Sequence, residues 1–268
     1  MKKLIIILAV FLINFCLFSG LTACGQTEEP PKGPDLEGYT LVFLDEFDGE
    51  ALDESAWQHR HMRSDGGYYH PDMAGVEDGK LVITAQYDNK ENGEGWYAGG
   101  VSLIKRYTYG YFEVSCKPNG TADFSSAFWL QSKNAYIHEL SQGGVGGAEI
   151  DIFETYFTDD IFYRNYIFST IHCNGFDDDA ENIDSQKLVH YHVPNLLKKY
   201  TTFGLLWTED EYIFYVDGVE TVRSSFAKGT SKDEQEVILS ITINKNVTLS
   251  KDVISKYLVD YVKIYQKI

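Results

Sequence analysis

Relative to its acids, this sequence is poor in positive charge: 23 lysines and arginines stand against 40 aspartates and glutamates, a formal net charge of −17. Such a surface excludes nucleic acid and anionic lipid headgroups as partners. It would also repel a sulfated or uronate-rich polymer unless basic residues gather locally, so composition favours a neutral ligand and says nothing about the fold. Helical periodicity is nearly absent; only residues 188–200 hint at a helix, and Pro194 interrupts them. Cysteine is scarce, with four in the chain. Cys16 lies in the leader and Cys24 has a separate role, which leaves Cys116 and Cys173 to the domain. Those two could bridge in an exported protein, but a pair on distant strands cannot be assigned from sequence, and two buried thiols is the reading taken here.

The one long apolar run, residues 4–18, follows Lys2 and Lys3 and precedes Leu21-Thr22-Ala23-Cys24-Gly25. This pattern reads as an export signal and not as a structural helix. Leu-Thr-Ala-Cys resembles the lipobox of bacterial lipoproteins, which implies cleavage after residue 23 and acylation of Cys24; an ordinary secretory signal is the alternative. The chain is then an exported bacterial lipoprotein held at the cell surface by lipid and not spanning the membrane. Loss of residues 1–23 removes two lysines and no acids, leaving a charge of −19. Residues 24–35 are polar and hold three of the six prolines, so they cannot bury a core and read as a flexible linker. Residues 36–268 are a sensible length for one large domain, with neither a second domain nor an internal repeat in view.

Aromatic and β-branched residues dominate that domain, in apolar runs of about five to eight residues between turn signals. Leu81-Val82-Ile83-Thr84-Ala85 follows Asp78-Gly79, and Asp217-Gly218 joins two strand-like runs in a hairpin signal, because that pair accepts positive φ. The pattern predicts an antiparallel β-sandwich.

Within it, Gly147-Ala148-Glu149-Ile150-Asp151-Ile152-Phe153-Glu154 places three carboxylates in a β-branched, apolar segment where acids are normally avoided. Alternation puts Glu149 and Asp151 on one face and Glu154 on the other. A one-residue bulge around Ile152 and Phe153 would return Glu154 to its companions. Paired carboxyls roughly 5–5.5 Å apart are what a retaining glycosidase requires. A solvent-facing amphipathic strand would account for Glu149 and Asp151 alone. Glu154, together with Gly143, Gly144, Gly146 and Gly147, which would let a ligand approach the backbone, shifts the reading to catalysis. Metal ligation by the trio is weaker, since no histidine lies beside it and His172 falls on a separate predicted strand.

Nineteen tyrosines and sixteen phenylalanines are too many to face a ligand, so most belong to the core. The candidates for stacking against sugar rings adjoin the acid strand or glycine-rich loops: Trp129, Trp96, Tyr97 and Tyr136.

The domain from Phe43 onward resembles glycoside hydrolase family 16, the jelly-roll endo-β-glucanases, laminarinases, agarases and carrageenases. Glu149-x-Asp151-x-x-Glu154 is similar to the family's bulged signature. Further blocks follow in order: Phe43-Leu44-Asp45-Glu46-Phe47-Asp48-Gly49, Asp78-Gly79-Lys80-Leu81, Tyr109-Gly110-Tyr111-Phe112-Glu113, Ala127-Phe128-Trp129-Leu130, Tyr215-Val216-Asp217-Gly218 and Val259-Asp260-Tyr261-Val262. The resemblance implies an all-β, concanavalin-like jelly-roll sandwich of two curved antiparallel sheets with a concave substrate cleft. It also implies that Glu149 is the nucleophile, Glu154 the general acid/base and Asp151 the group between them. His172 would sit on a neighbouring strand among sugar contacts, although a lone histidine is as readily structural. No cofactor is expected for catalysis. A structural calcium is implied on the convex side, held by Asp260 with carbonyls of Gly79 and Glu46. Two departures stand out: the tryptophan that many relatives carry just before the first glutamate is missing, and Asp177-Asp178-Asp179-Ala180-Glu181 is an acidic insert.

The expected activity is retaining, endo-acting cleavage of a neutral β-linked polysaccharide, a β-1,3- or β-1,3-1,4-glucan, by a monomer. An endo-galactanase of the agarase kind keeps the same residues. A non-catalytic glucan-binding surface lipoprotein is the rival from another class, and it has no need of three adjacent carboxyls.

Overall fold

The computed structural model describes residues 33–158, 160–173, 184–226 and 229–268; the leader, Cys24 and the acidic insert lie outside them. In chain order the strands are β1 (Tyr39–Asp45), β2 (Trp57–His59), β3 (Tyr68–Tyr69), β4 (Ala74–Glu77), β5 (Lys80–Lys90), β6 (Gly93–Ala98), β7 (Gly100–Leu103), β8 (Gly110–Lys117) and β9 (Phe124–Ser132). They continue as β10 (Glu149–Thr155), β11 (Tyr166–Cys173), β12 (Asp184–His192), β13 (Thr201–Trp207), β14 (Tyr212–Val216), β15 (Val219–Ser224), β16 (Gln235–Ile243) and β17 (Ile254–Lys267). The one α-helix among the described residues is the four-residue turn His138–Ser141.

These strands form two sheets. One runs β15-β14-β13-β8-β17-β5-β6-β3, with β1 paired to β17 and β4 to β5; the other runs β12-β11-β10-β9-β16-β7-β2. Alternation explains how they pack. In β16, Val237, Leu239, Ile241 and Ile243 enter the core, while Glu236, Ser240 and Thr242 alternate to the opposite, concave face. Phe153 of β10 meets Phe203 of β13 across the two sheets, ring centroids 4.0 Å apart. Asp217 and Gly218 both adopt positive φ, 48° and 76°, and close the β14–β15 hairpin as their sequence predicts.

The helical hint over 188–200 is overturned: β12 runs through His192, because Val189, His190, Tyr191 and His192 pair with β11, and only a turn follows at Pro194. Cys116 and Cys173 are both fully buried, on different sheets, and no disulfide joins them.

Candidate active site

Strand β10 is the third of the seven-stranded sheet, between β11 and β9, and its register shows how the acids are gathered. Asp151 lies opposite Trp129, but the next pair on β9 is Phe153 with Phe128, then Glu154 with Ala127. Two residues of β10 therefore oppose one of β9, and Ile152 and Phe153 both turn into the core. The extra residue restores Glu154 to the face of Glu149 and Asp151. All three carboxylates line one hollow of about 190 Å³ with Arg60, Tyr69, Ala127, Trp129 and Thr242. A larger hollow of about 670 Å³, bounded by Tyr39, Tyr109, Glu209 and Lys267, touches none of them.

Glu149 is half-buried, and its Oε2 accepts hydrogen bonds from Gln131 Nε2 at 2.7 Å and from the Tyr136 hydroxyl. His172 lies directly across from it on β11. The His172 Nε2 is 3.1 Å from Asp151 Oδ2, off the line of a hydrogen bond, and Nδ1 meets Ser185 Oγ at 2.5 Å. Asp151 is 4 % exposed. Burial pushes Glu149 up, and the Tyr136 hydroxyl, the charge of His172, Gln131 and Arg60 pull it back. Asp151 is pushed well above the usual carboxylate range by burial and then by the charge of Glu149. Glu154 is raised well above its ordinary value, by burial first and then by Asp151 and Glu149. All three acids are thus raised by burial, and the two donors aimed at Glu149 offset part of its rise.

The structure brings Trp129, Tyr136 and His172 to these acids. The Trp129 ring has its Nε1–H on Ser240 Oγ at 3.1 Å and Arg60 5.1 Å from its centroid. Trp96 and Tyr97 are elsewhere. They sit on β6 of the other sheet; Tyr97 is fully buried, its hydroxyl donating to Gly93 O, and Trp96 packs edge-on against Tyr87 and Phe124. Neither offers a face to a sugar in the hollow, which corrects the expectation that aromatics before a glycine pair belong to the cleft. The glycines also need a different explanation. A Cβ on Gly146 would lie 1.9 Å from Leu140 O, and one on Gly147 2.4 Å from Ser132 Oγ. Close approach of the chain to itself requires these two, and positive φ, 71° and 101°, favours glycine at Gly143 and Gly144.

The calcium expectation fits poorly. Lys80 Nζ bridges Asp260 Oδ1 at 2.8 Å and Gly79 O at 2.9 Å, so an ammonium already stands between two of the three groups named for the cation. Glu46, the third, is exposed and takes no part in that bridge. His172, by contrast, is nearer than its separate strand suggested: its ring, Glu149 and Asp151 bring ligand atoms within 4.8 Å of one another. The two donors aimed at Glu149 Oε2 suit a bare carboxylate better than one bound to a metal.

Sequence reasoning missed Arg60, Tyr69 and Gln131. Gln131 could have been found, since it lies two residues from Trp129 and shares its face. Arg60 follows the three-residue β2 and Tyr69 ends the two-residue β3, strands too short to show a period. Also missed is the β11–β12 flank of the same face, where His190 lies 4.4 Å from the Tyr166 ring and Lys187 Nζ 4.5 Å from the Phe168 ring.

Two curved sheets with a carboxylate pair and an orienting acid on the hollow face define a polysaccharide-hydrolase class of fold and site. A family model described as the GH16 domain of β-porphyranases A–D matches residues 42–267, and the chain belongs to glycoside hydrolase family 16. Among curated proteins it is similar to the endo-1,3-1,4-β-glycanase ExsH of Rhizobium meliloti, 24 % identical over 71 % of this chain and 39 % of that one. The glucan endo-1,3-β-glucosidase A1 of Niallia circulans is 26 % identical over 70 % of this chain and 30 % of its own length. β-Porphyranase D of Zobellia galactanivorans is 28 % identical over 63 % and 44 %. The chain thus spans under half the length of these curated relatives. Among solved structures it resembles SCLam, described as a non-specific endo-β-1,3(4)-glucanase of family GH16, with a TM-score of 0.71 and 25 % identity over 90 % of this chain and 95 % of that one.

Proposed function

We propose that this chain is an endo-acting glycoside hydrolase that cleaves an internal β-linkage of a polysaccharide with retention, acting as a monomer. The observation that carries the reading is the bulge in β10, which sets Glu149, with two donors aimed at it, and Glu154, raised by burial and by its acidic neighbours, on one face with Asp151 between them. Glu149, oriented by Tyr136 and Gln131, attacks the anomeric carbon; the glycosidic bond breaks as Glu154 gives its proton to the departing oxygen. Water then enters on the face that the leaving group vacated, Glu154 takes its proton, and the oxygen bonds to the anomeric carbon opposite Glu149 as the ester bond breaks and Glu149 leaves as a carboxylate. As Glu149 loses its charge in forming the ester, the like-charge pressure on Glu154 falls, which favours its switch from acid to base.

A β-1,3- or β-1,3-1,4-glucan is the first substrate reading, supported by the names of the glycanase and glucosidase relatives and of SCLam. A galactan is the second, favoured by the porphyranase family model and by Arg60, a cation in the hollow of a chain that is otherwise strongly acidic. Export and acylation at Cys24 complete the proposal: replacing Cys24 with Ser should abolish incorporation of labelled fatty acid.

The deciding experiment measures reducing-end release from laminarin, lichenan, agarose and porphyran. NMR of the first product formed should show the β-anomer, and Glu149→Gln should abolish turnover while polysaccharide affinity persists. First-formed α-anomer, or near-normal turnover in that variant, would refute the assignment.

A further inference from the structure

Outside the hollow, three loops bring together side chains that the proposed hydrolysis does not use. His61 lies just beyond β2, His70 just beyond β3, and Glu91 at the turn between β5 and β6. His61 Nε2 is 2.6 Å from Glu91 Oε1, and His70 Nε2 is 2.9 Å from Glu91 Oε2. The two imidazoles thus approach opposite oxygens of one carboxylate, their rings 5.5 Å apart and steeply inclined, and one ligand atom from each residue falls within 4.8 Å of the others.

We propose that His61, His70 and Glu91 bind a zinc-type divalent cation on the outer wall of the cleft. Two imidazole nitrogens and a carboxylate are a donor set for zinc and its first-row neighbours, whereas calcium and magnesium take oxygen ligands. A water would complete four-coordination. The nitrogens stand 2.6 and 2.9 Å from the Glu91 oxygens, and rotation of the exposed His61 and Glu91 side chains would let one atom of each residue ring a cation at about 2.0–2.2 Å.

The surroundings suit that ligand set. The His70 side chain is 11 % exposed, and its ring meets Tyr97 edge-on at 5.9 Å. Its Nδ1 accepts the Asp72 N–H at 3.1 Å, so in the metal-free protein the ring proton sits on Nε2 and is donated to Glu91. Cation binding at Nε2 displaces that proton. A neutral imidazole that ligates through Nε2 carries its proton on Nδ1, so the Asp72 N–H contact gives way to one from Nδ1–H to the Asp72 carboxylate, 3.7 Å away and held by Lys90 at 2.7 Å. A carboxylate behind a ligating imidazole orients the ring and strengthens it as a ligand.

The position gives the cation a purpose. Arg60 and Tyr69, which line the catalytic hollow, are the chain neighbours of His61 and His70. A cation would fasten both to the β5–β6 hairpin and hold that wall in place.

The test uses the full chain, detergent-solubilised, without a polyhistidine tag and stripped with chelator. Zinc chloride titrated in a calorimeter should bind one to one at micromolar concentration or tighter and raise Tm by several degrees. Cobalt chloride should give the visible absorption of a four-coordinate site. His70→Gln and Glu91→Gln should each weaken zinc binding at least 100-fold; Glu91 is on an exposed turn, so its variant folds even if His70→Gln does not. Glu149→Gln should leave zinc affinity unchanged. Absence of binding at millimolar zinc, full affinity in Glu91→Gln, or loss of affinity in Glu149→Gln, which would place the cation among the catalytic acids, overturns the proposal.

Discussion

Glu149 and Glu154 carry the same functional group and burial pushes both in the same direction, yet their neighbours differ. Glu149 receives the Tyr136 hydroxyl and the Gln131 amide, whereas Glu154 is raised further by the charges of Asp151 and Glu149. Under the proposed mechanism environment divides the roles, and two consequences can be measured. Removing the Tyr136 hydroxyl takes away the largest influence holding Glu149 down, so its pKa rises. Tyr136→Phe should move the acidic limb of the kcat/KM profile up by about 1–2 pH units, since a hydrogen bond to a charged group is worth roughly 1.5–3 kcal/mol. A profile that stays in place would show that Tyr136 does not tune the nucleophile. The second consequence concerns stability. The folded-state pKa of Glu154 lies above its unfolded value, so the native protein holds a proton that the unfolded chain has released. Its contribution is fully present below the unfolded value near pH 4 and is lost as pH rises through the folded value. Glu154→Gln, neutral throughout, should be more stable than the parent at pH 7 by on the order of 1 kcal/mol, or about 2–4 °C in Tm. The gain should vanish toward pH 4 in melts recorded across that range, and turnover should drop roughly 10²–10⁴-fold with loss of the general acid.

At the scale of the element, one extra residue decides whether β10 is a site or a plain amphipathic strand. Strict alternation turns Glu154 inward; because Ile152 and Phe153 both enter the core, Glu154 emerges beside Asp151. The bulge was legible because a third acid at the wrong parity demands an explanation that two acids at the right parity do not. Its anchor was not legible: Phe153 stacks on Phe203 at 4.0 Å and meets Tyr257 edge-on at 6.3 Å, contacts made across the sandwich with residues about 50 and 100 positions away. Phe153→Ala should therefore cost about 3–5 kcal/mol in chemical denaturation, the range for emptying a buried aromatic site. Below its lowered midpoint the variant should also lose kcat more than it changes KM, because the acid's position depends on that anchor while the binding face does not. Equal effects on both constants would mean that the bulge is held by its hydrogen bonds alone.

At the scale of the whole molecule, the sequence showed what local periodicity can encode and missed what only the closed sandwich creates. The strand pattern, the Asp217-Gly218 hairpin and the acid strand are local signals, and each stands where it was expected. Arg60, just after β2, and Tyr69, in β3, line the hollow with Glu149 from about 80–90 positions earlier, so no window on the sequence contains it. Trp96 and Tyr97 had the right chemistry and local context, but β6 belongs to the other sheet. The calcium expectation came from resemblance alone, and the side chain that opposes it is the lysine within the resembling block. Lys80 links Asp260 to Gly79 O with both charged side chains about one-third exposed, where an ion pair contributes roughly 0–1 kcal/mol. A divalent cation would have to displace the ammonium, losing that pair and setting two positive charges close together. Millimolar calcium chloride should therefore leave the Tm of chelator-stripped protein unchanged. Lys80→Met should lower stability by no more than about 1 kcal/mol and, by freeing Asp260, should make the Tm respond to calcium. A rise of several degrees in the parent protein would show instead that the cation evicts the lysine, and Asp260, Gly79 and Glu46 would return as its ligands.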